Sequence, residues 1–358
     1  MPLTLAYVPN DTRVALNGQP VPSISRSLYF DRFTDPGLKE DHRKAFFTEG
    51  FKAHTSTFRL KTWQSLIDSC ALKGEILYAQ LQSRLMVNMA GGVMENAGLC
   101  LDRYGMPYIP GSAVKGCARR AALAALHEWC DTGLQPSGTD NLFTNACKGF
   151  TNPAQMLAAI ARVFGWCEQD WSSDKTQPSK SIEIPRWKSD FAWACTPTPI
   201  EPGQPAPAAP SSPYSWEIIR RETAQILALD LGIKVPASDT APWKLLPNFA
   251  GSVSFLPGML VEVAGLAHTT TTPTTGTLEL DVLTCHHRIY YSAKDSSAPR
   301  YATDDEEPNP VFFPSITAGH VFALVTVGLG NCPAQGLSSA QSWLAAGLSV
   351  FGVGAKTA

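Results

Sequence analysis

Gly105-Met106-Pro107-Tyr108-Ile109-Pro110-Gly111-Ser112-Ala113-Val114-Lys115-Gly116-Cys117-Ala118-Arg119-Arg120 is the stretch on which the fold turns. Gly, Pro and aromatic residues punctuate its first half as a loop. An Ala- and Leu-rich run to Trp129 then has the composition of a helix of about four to five turns. Ser112 is the natural N-cap of that helix. Val114, Cys117, Ala121 and Ala125 recur at helical spacing and predict its buried side. Three cations, Lys115, Arg119 and Arg120, fall within its first turns. Cations there oppose the helix dipole, each by a few tenths of a kcal/mol. A phosphate beside the exposed N–H groups would reverse that sign. Basic side chains that merely solvate the helix's outer face are the alternative.

Upstream, Ile76 to Asn88 alternates, with Leu77, Ala79, Leu81, Leu85 and Val87 on one face, which predicts a half-buried strand. Gly91-Gly92 breaks it. Residues 1–74 read as an arm, irregular over its first 60 residues, that packs on the rest. Downstream, Pro153 to Phe164 and Trp216 to Leu231 are expected helices. Between them lie a Trp-rich stretch and the segment 196–213, which carries seven prolines. Such a segment suits neither a packed helix nor a central strand, so it is expected to be an exposed, poorly ordered loop. The core then spans 75–358, interrupted by an insertion at about 131–249. Gly251–Leu256, Leu278–Thr284, Val311–Ile316 and His320–Val327 are predicted strands, and Ser338–Val350 a helix.

The chain has 358 residues, 44% of them apolar, and no apolar run approaching the roughly 18–20 residues of a membrane span. Met1 to Val14 lacks a basic segment followed by an apolar core, so a cytoplasmic location and no membrane contact are expected. Nine cysteines without a CxxC pair read as reduced, mostly buried thiols, and no metal is expected. A net charge of −2 is not that of a free-standing nucleic-acid binder, so any such role rests on local patches and on partners. Neither Gly-x-Ser-x-Gly nor His-Glu-x-x-His occurs, so serine hydrolase and zinc protease chemistry have no motif.

Two further segments carry candidate chemistry. Gly352-Val353-Gly354-Ala355-Lys356-Thr357 sets glycines before a Lys-Thr pair, but a helix precedes it and the spacing is not that of a phosphate-binding Walker loop. A backbone nest for phosphate, with Lys356 as a point charge, and a plain glycine turn both fit. Asp281-Val282-Leu283-Thr284-Cys285-His286-His287-Arg288-Ile289-Tyr290-Tyr291 ends a strand in histidines, an arginine and tyrosines. Adjacent histidines on an extended backbone point to opposite sides, which argues for RNA-contacting or structural roles over an acid/base pair.

Together these segments resemble the RAMP proteins of CRISPR effector complexes. Gly105 to Gly116 with Arg119-Arg120 is similar to that family's G-x-PYIPGSSLKG-x-xR stretch, and Gly352 to Thr357 to its C-terminal glycine-rich loop. Leu280 to His286, Tyr290-Tyr291 and Pro308 to Phe313 resemble one branch, the sixth subunit of the type III-B complex. Two departures stand out: Cys285 replaces the usual Pro before His286, and the glycine loop lacks the family's following Gly-Tyr-Gly. The resemblance implies an α+β, ferredoxin-like (RRM-type) core with long helical and Pro-rich insertions. It also implies a non-catalytic, RNA-binding structural subunit without a cofactor, in contact with the 3′ part of a guide RNA, with target RNA and with other RAMP subunits. By that resemblance Ser112, Lys115, Arg119, Arg120, Gly352, Gly354 and Lys356 face the RNA backbone, and His286 and Arg288 lie near its path. Target cleavage would belong to other subunits. The rival expectation is a metal-independent endoribonuclease that processes guide RNA, with His286 or His287 as acid/base and Lys115 or Lys356 stabilising the phosphorane.

Overall fold

A computed structural model describes residues 9–33, 37–38, 40–55, 58–70, 74–88, 91, 98–177, 186–198, 212–236, 239–261, 277–285, 309–330 and 332–354. The first 60 residues, expected to be irregular, contain three helices, α1 (Asn10–Leu16), α2 (Arg26–Asp31) and α3 (Glu40–Gly50), and α4 (Phe58–Cys70) follows them. Packing rather than helical periodicity holds α2 and α3. Tyr29 stacks on Phe46 at 4.6 Å, Phe30 lies 6.2 Å from Phe47, and the buried Arg26 guanidinium donates to the Phe51 carbonyl at 2.8 Å. Burial lowers the Arg26 pKa to about 10, so the group stays charged at neutral pH.

The central sheet is antiparallel. Strand β1 (Gly74–Gln80) is followed by β2 (Tyr108–Ile109) and helix α5 (Gly111–Thr132). Helices α6 (Thr144–Cys147) and α7 (Pro153–Phe164), strand β3 (Gly165–Trp166), helices α8 (Asp190–Ala194) and α9 (Trp216–Asp230), and strand β4 (Phe249–Ala250) come next. Strands β5 (Val253–Phe255), β6 (Gly258–Val261), β7 (Leu278–Cys285), β8 (Asn309–Ile316) and β9 (Val321–Gly328) precede the final helix α10 (Ala334–Val350). The strand order is β1-β9-β6-β2, with β5 also paired to β9, while β7 and β8 form a separate hairpin. Strand β9 is central and buried on both faces, which explains its unbroken apolar Val321-Phe322-Ala323-Leu324-Val325.

Helices α5 and α10 cover one face of the sheet, where Phe322 and Leu324 join the main core. Helix α4 covers the other, packing Ile67 and Trp63 against Val321, Ala323 and Val325. Sequence placed one strand over Ile76–Asn88; the structure ends it at Gln80. Leu81 still donates to His320, but Leu85 exchanges both backbone bonds with Ile316 of β8, at 3.0 and 2.8 Å. The chain therefore changes partner from β9 to β8 within a few residues. Helix α7 matches its expected bounds residue for residue, with Asn152 capping Gln155 N at 2.9 Å and Pro153 in the first turn. It packs between α5 and α9, so the inserted helices extend the core of α5. Of the Pro-rich segment, residues 199–211 lie outside the described residues. Cys117, Cys130, Cys147 and Cys195 are buried thiols, whereas Cys167 is exposed. No helix among the described residues is long and apolar enough to cross a membrane.

The two core helices meet at backbone distance. A Cβ on Gly347 would stand 2.7 Å from the Cys117 carbonyl oxygen and 2.8 Å from its sulfur. One turn earlier Trp343 is fully buried and donates Nε1–H to the Ala146 carbonyl at 2.9 Å. Gly347→Val is therefore expected to destabilise the protein by about 1–3 kcal/mol in urea unfolding, the usual cost of overpacking. Gly116→Ala on the same helix pair meets open space and is expected to stabilise by about 0.5–1 kcal/mol.

Candidate nucleic-acid interface

The first turn of α5 differs from its expected form. Pro110, not Ser112, occupies the N-cap position with φ −56° and ψ 140°, and its carbonyl accepts from Ala113 N at 2.9 Å and Val114 N at 3.1 Å. Ser112 is the second helical residue, exposed, and makes no capping bond. The helix starts early because Gly111 lies directly against the Phe255 carbonyl, where a side chain would not fit.

The three cations of α5 have separate environments. Arg119 pairs with Asp190 at the start of α8 and with Asp170 at 3.7 Å, and its guanidinium lies 5.7 Å from the Phe191 ring. It ties the insertion to the core helix. Arg120 is exposed and sits over the Phe351 ring at 4.1 Å. Lys115 is half-buried, and desolvation, then the charge of Arg119, lowers its pKa. Among the described residues no carboxylate pairs with Lys115 or Arg120.

Helix α10 delivers the glycine loop to this surface. Phe351 N and Gly352 N both bond the Gly347 carbonyl, at 2.9 and 3.0 Å. Gly352 (φ 67°) and Gly354 (φ 95°) are left-handed, a conformation that suits glycine. Cys117 Sγ donates to the Gly352 carbonyl at 3.5 Å, and burial pushes that thiol up to about 11. A Cβ on Gly354 would stand 2.5 Å from the Met86 carbonyl oxygen. Two residues beyond Met86, Asn88 is left-handed (φ 69°) without being glycine.

The third motif reaches the same place. Arg84 binds Glu279 at 2.6 Å and Asp281 at 3.2 Å, both on β7, while Leu85 pairs with Ile316 on β8. Residues 84–88 are thus the junction on which the glycine loop and the β7–β8 hairpin close. Sequence reading missed Arg84, Met86 and Asn88 as organisers, because the alternation runs on through Asn88 and places them in one continuous strand. His286, Arg288 and Lys356 lie outside the described residues. Among the described residues no His/Cys/Asp/Glu group is arranged to hold a metal ion.

No family model and no curated protein matches the chain. The fold is similar to chains of type III-B Cmr structures. One is the cryo-EM structure of the type III-B Cmr-beta complex bound to cognate target RNA, at 12% identity and a TM-score of 0.40, covering 90% of this chain and 73% of that one. Another is the crystal structure of Cmr6 from Pyrococcus furiosus, at 17% identity and a TM-score of 0.30, covering 79% of this chain and 94% of that one. At such scores the backbones agree only in part, and the functional reading rests on the chain's own motifs and geometry.

The separation of the cations is testable by denaturation of the purified protein. A double-mutant cycle on Arg119→Ala and Asp190→Ala is expected to give a coupling of about 0.2–1 kcal/mol, the range of an ion pair whose carboxylate is exposed. Lys115→Ala is expected to change stability by less than about 0.5 kcal/mol.

Proposed function

We propose that the chain is a RAMP-type, RNA-binding structural subunit of a type III-B CRISPR guide-RNA effector complex. In this reading it contacts the 3′ part of the guide and the target duplex, and it contributes no catalytic residue. The observation that carries the reading is the closure of the glycine loop and the hairpin on residues 84–88, beside Arg120, which pairs with no carboxylate among the described residues. A phosphate at the start of α5 would relieve the opposition of Lys115 to the helix dipole, and a neighbouring one along the same backbone would meet Arg120 and the glycine loop. Arg119 then acts from behind, holding the insertion in place.

The succession β1–α5–β6–β9–α10, with β9 between β1 and β6 and both helices on one face, supports a ferredoxin-like core. An RRM would present the opposite sheet face to RNA. Here α4 covers that face, so RNA approaches the helix-and-loop end instead. The near-neutral chain would bind RNA weakly alone and more firmly within an assembly whose other members add positive charge.

The test is to purify the tagged chain from its host at moderate salt, identify the co-purifying proteins and RNA, and repeat with Lys115→Ala/Arg120→Ala. RAMP-type subunits and a short guide-like RNA are expected with the native chain. The double variant is expected to lower the salt dependence of RNA binding by about 0.7 per lost phosphate contact in the slope of log K against log salt. Recovery of the chain without RNA or such subunits would refute the reading. RNA cleavage by the isolated chain, abolished by His286→Ala, would replace it with the endoribonuclease.

A further inference from the structure

A polar groove of about 710 Å³ lies between α10 and the segment 139–149, within the size range of small-ligand sites. Ser338, Ser339, Ser342 and Ser349 line its α10 wall, and Asn145 and Lys148 face it from the other side. Three of the serines use their protons on their own helix. Ser338 Oγ donates to the Gln335 carbonyl at 3.1 Å, Ser342 Oγ to the Ser338 carbonyl at 3.1 Å and Ser349 Oγ to the Ala345 carbonyl at 2.9 Å. Their oxygens remain as acceptors in the groove. Ser339 differs from them. It is only 8% exposed, it lines the groove, and its hydroxyl has no hydrogen-bond partner among the described residues. A buried hydroxyl without a partner is costly, and a ligand in the groove would satisfy it.

Charge selects among ligands. Lys148 is the one charged side chain lining the groove, and it is exposed and paired with no carboxylate among the described residues. The neighbouring acids Glu128 and Asp140 accept from Asn141 Nδ2 and Thr139 Oγ1 and do not line it. One unopposed cation beside a row of acceptor oxygens suits a ligand that carries both an anion and hydroxyl donors. A ribonucleotide strand has both, in its phosphates and its ribose 2′-hydroxyls. The groove is also continuous with the cationic loop end. Helix α10 runs from Ser338 to the glycine loop, and Phe143, next to the groove residue Leu142, lies 6.4 Å from Phe351, the ring that Arg120 covers.

We propose that this groove holds a segment of one RNA strand, with a phosphate on Lys148, ribose 2′-hydroxyls donating to Ser342 and Ser349, and Ser339 bonding the same sugar–phosphate backbone. The inference rests on the RNA-binding reading above and carries the RNA path along α10, away from Arg120. The groove thereby tells RNA from DNA, since a deoxyribose offers the serine oxygens no hydroxyl.

Fluorescence anisotropy on the full chain at low salt tests this, with a labelled oligouridylate and its deoxyuridine counterpart of equal length. The native chain is expected to bind the ribo-oligomer about three- to tenfold more tightly, as one or two added hydrogen bonds would give. Ser342→Ala/Ser349→Ala, which raises helix propensity, is expected to bring the two affinities together. Ser339→Ala is expected to weaken ribo-oligomer binding by about threefold without lowering the melting temperature. Lys148→Ala is expected to weaken both oligomers and to lower the slope of log K against log salt by about 0.7. Equal binding of the two oligomers by the native chain, or binding of neither, overturns the groove. So does RNA binding that Lys115→Ala/Arg120→Ala weakens and Lys148→Ala and the serine variants do not, an outcome that leaves the effector-subunit reading standing. Loss of RNA binding in Lys148→Ala, from a chain that co-purifies with no RAMP-type subunit, supports the groove and refutes that reading. Equal affinity for uridine 5′-monophosphate assigns the groove to a free nucleotide and overturns the strand.

Discussion

The approach of α10 to α5 through Gly347 is the constraint from which the rest of the molecule follows. Without a side chain at that position the two helix backbones meet, and Ala118, Ala121, Ala122 and Ala125 pack the same seam with no exposed surface. Small residues bury little apolar area each, so the seam owes its strength to close contact and to the large groups at its margins. Trp343 is the chief of these, stacked near Phe150 and Phe164 and hydrogen-bonded to Ala146. Because α10 ends directly over the first turns of α5, Phe351 lies under Arg120, and Cys117 reaches the Gly352 carbonyl. The loop's direction toward Met86 is then set by two left-handed glycines.

The same seam sorts the cations of α5. Only Lys115 lies close enough to the helix start to feel the dipole, which falls off within about the first turn. Arg119 is compensated by Asp190 and Asp170, and Arg120 by the face of Phe351. Lys115 has desolvation and a neighbouring arginine acting against its charge. It is therefore the group with most to gain from an anion, and the exposed start of α5 is where that anion would be felt most strongly. The insertion claims Arg119 and leaves Arg120 beside the loop.

Long apolar periods were readable without a structure. Helices α5, α7, α9 and α10 and strands β5, β7, β8 and β9 lie close to their expected positions, whereas β4 and β6 were not expected. The N-terminal helices were not readable, because α2 and α3 are held by an aromatic cluster and by the buried Arg26, neither of which leaves a helical period. The cap at Ser112 was misread for a similar reason: Gly111 is fixed by the Phe255 carbonyl, a contact about 140 residues away in sequence. The candidate site shows the sharpest limit. Its motifs were visible as separate segments, but the junction at 84–88 exists only through bonds to β7 and β8, some 200 residues downstream. Local residue type carries no record of such pairings.

Burial of both faces of β9 leaves few places where this molecule can meet another. Helix α4 closes one face of the sheet and α5 with α10 the other, so contact falls to the sheet's margins and ends. At the loop end, Arg120 lies over the Phe351 ring beside the left-handed Gly352 and Gly354 and pairs with no carboxylate among the described residues. With a net charge of only −2 and its acidic groups partly engaged with Arg84, Arg119 and Arg220, the chain has no broad field to draw nucleic acid indiscriminately.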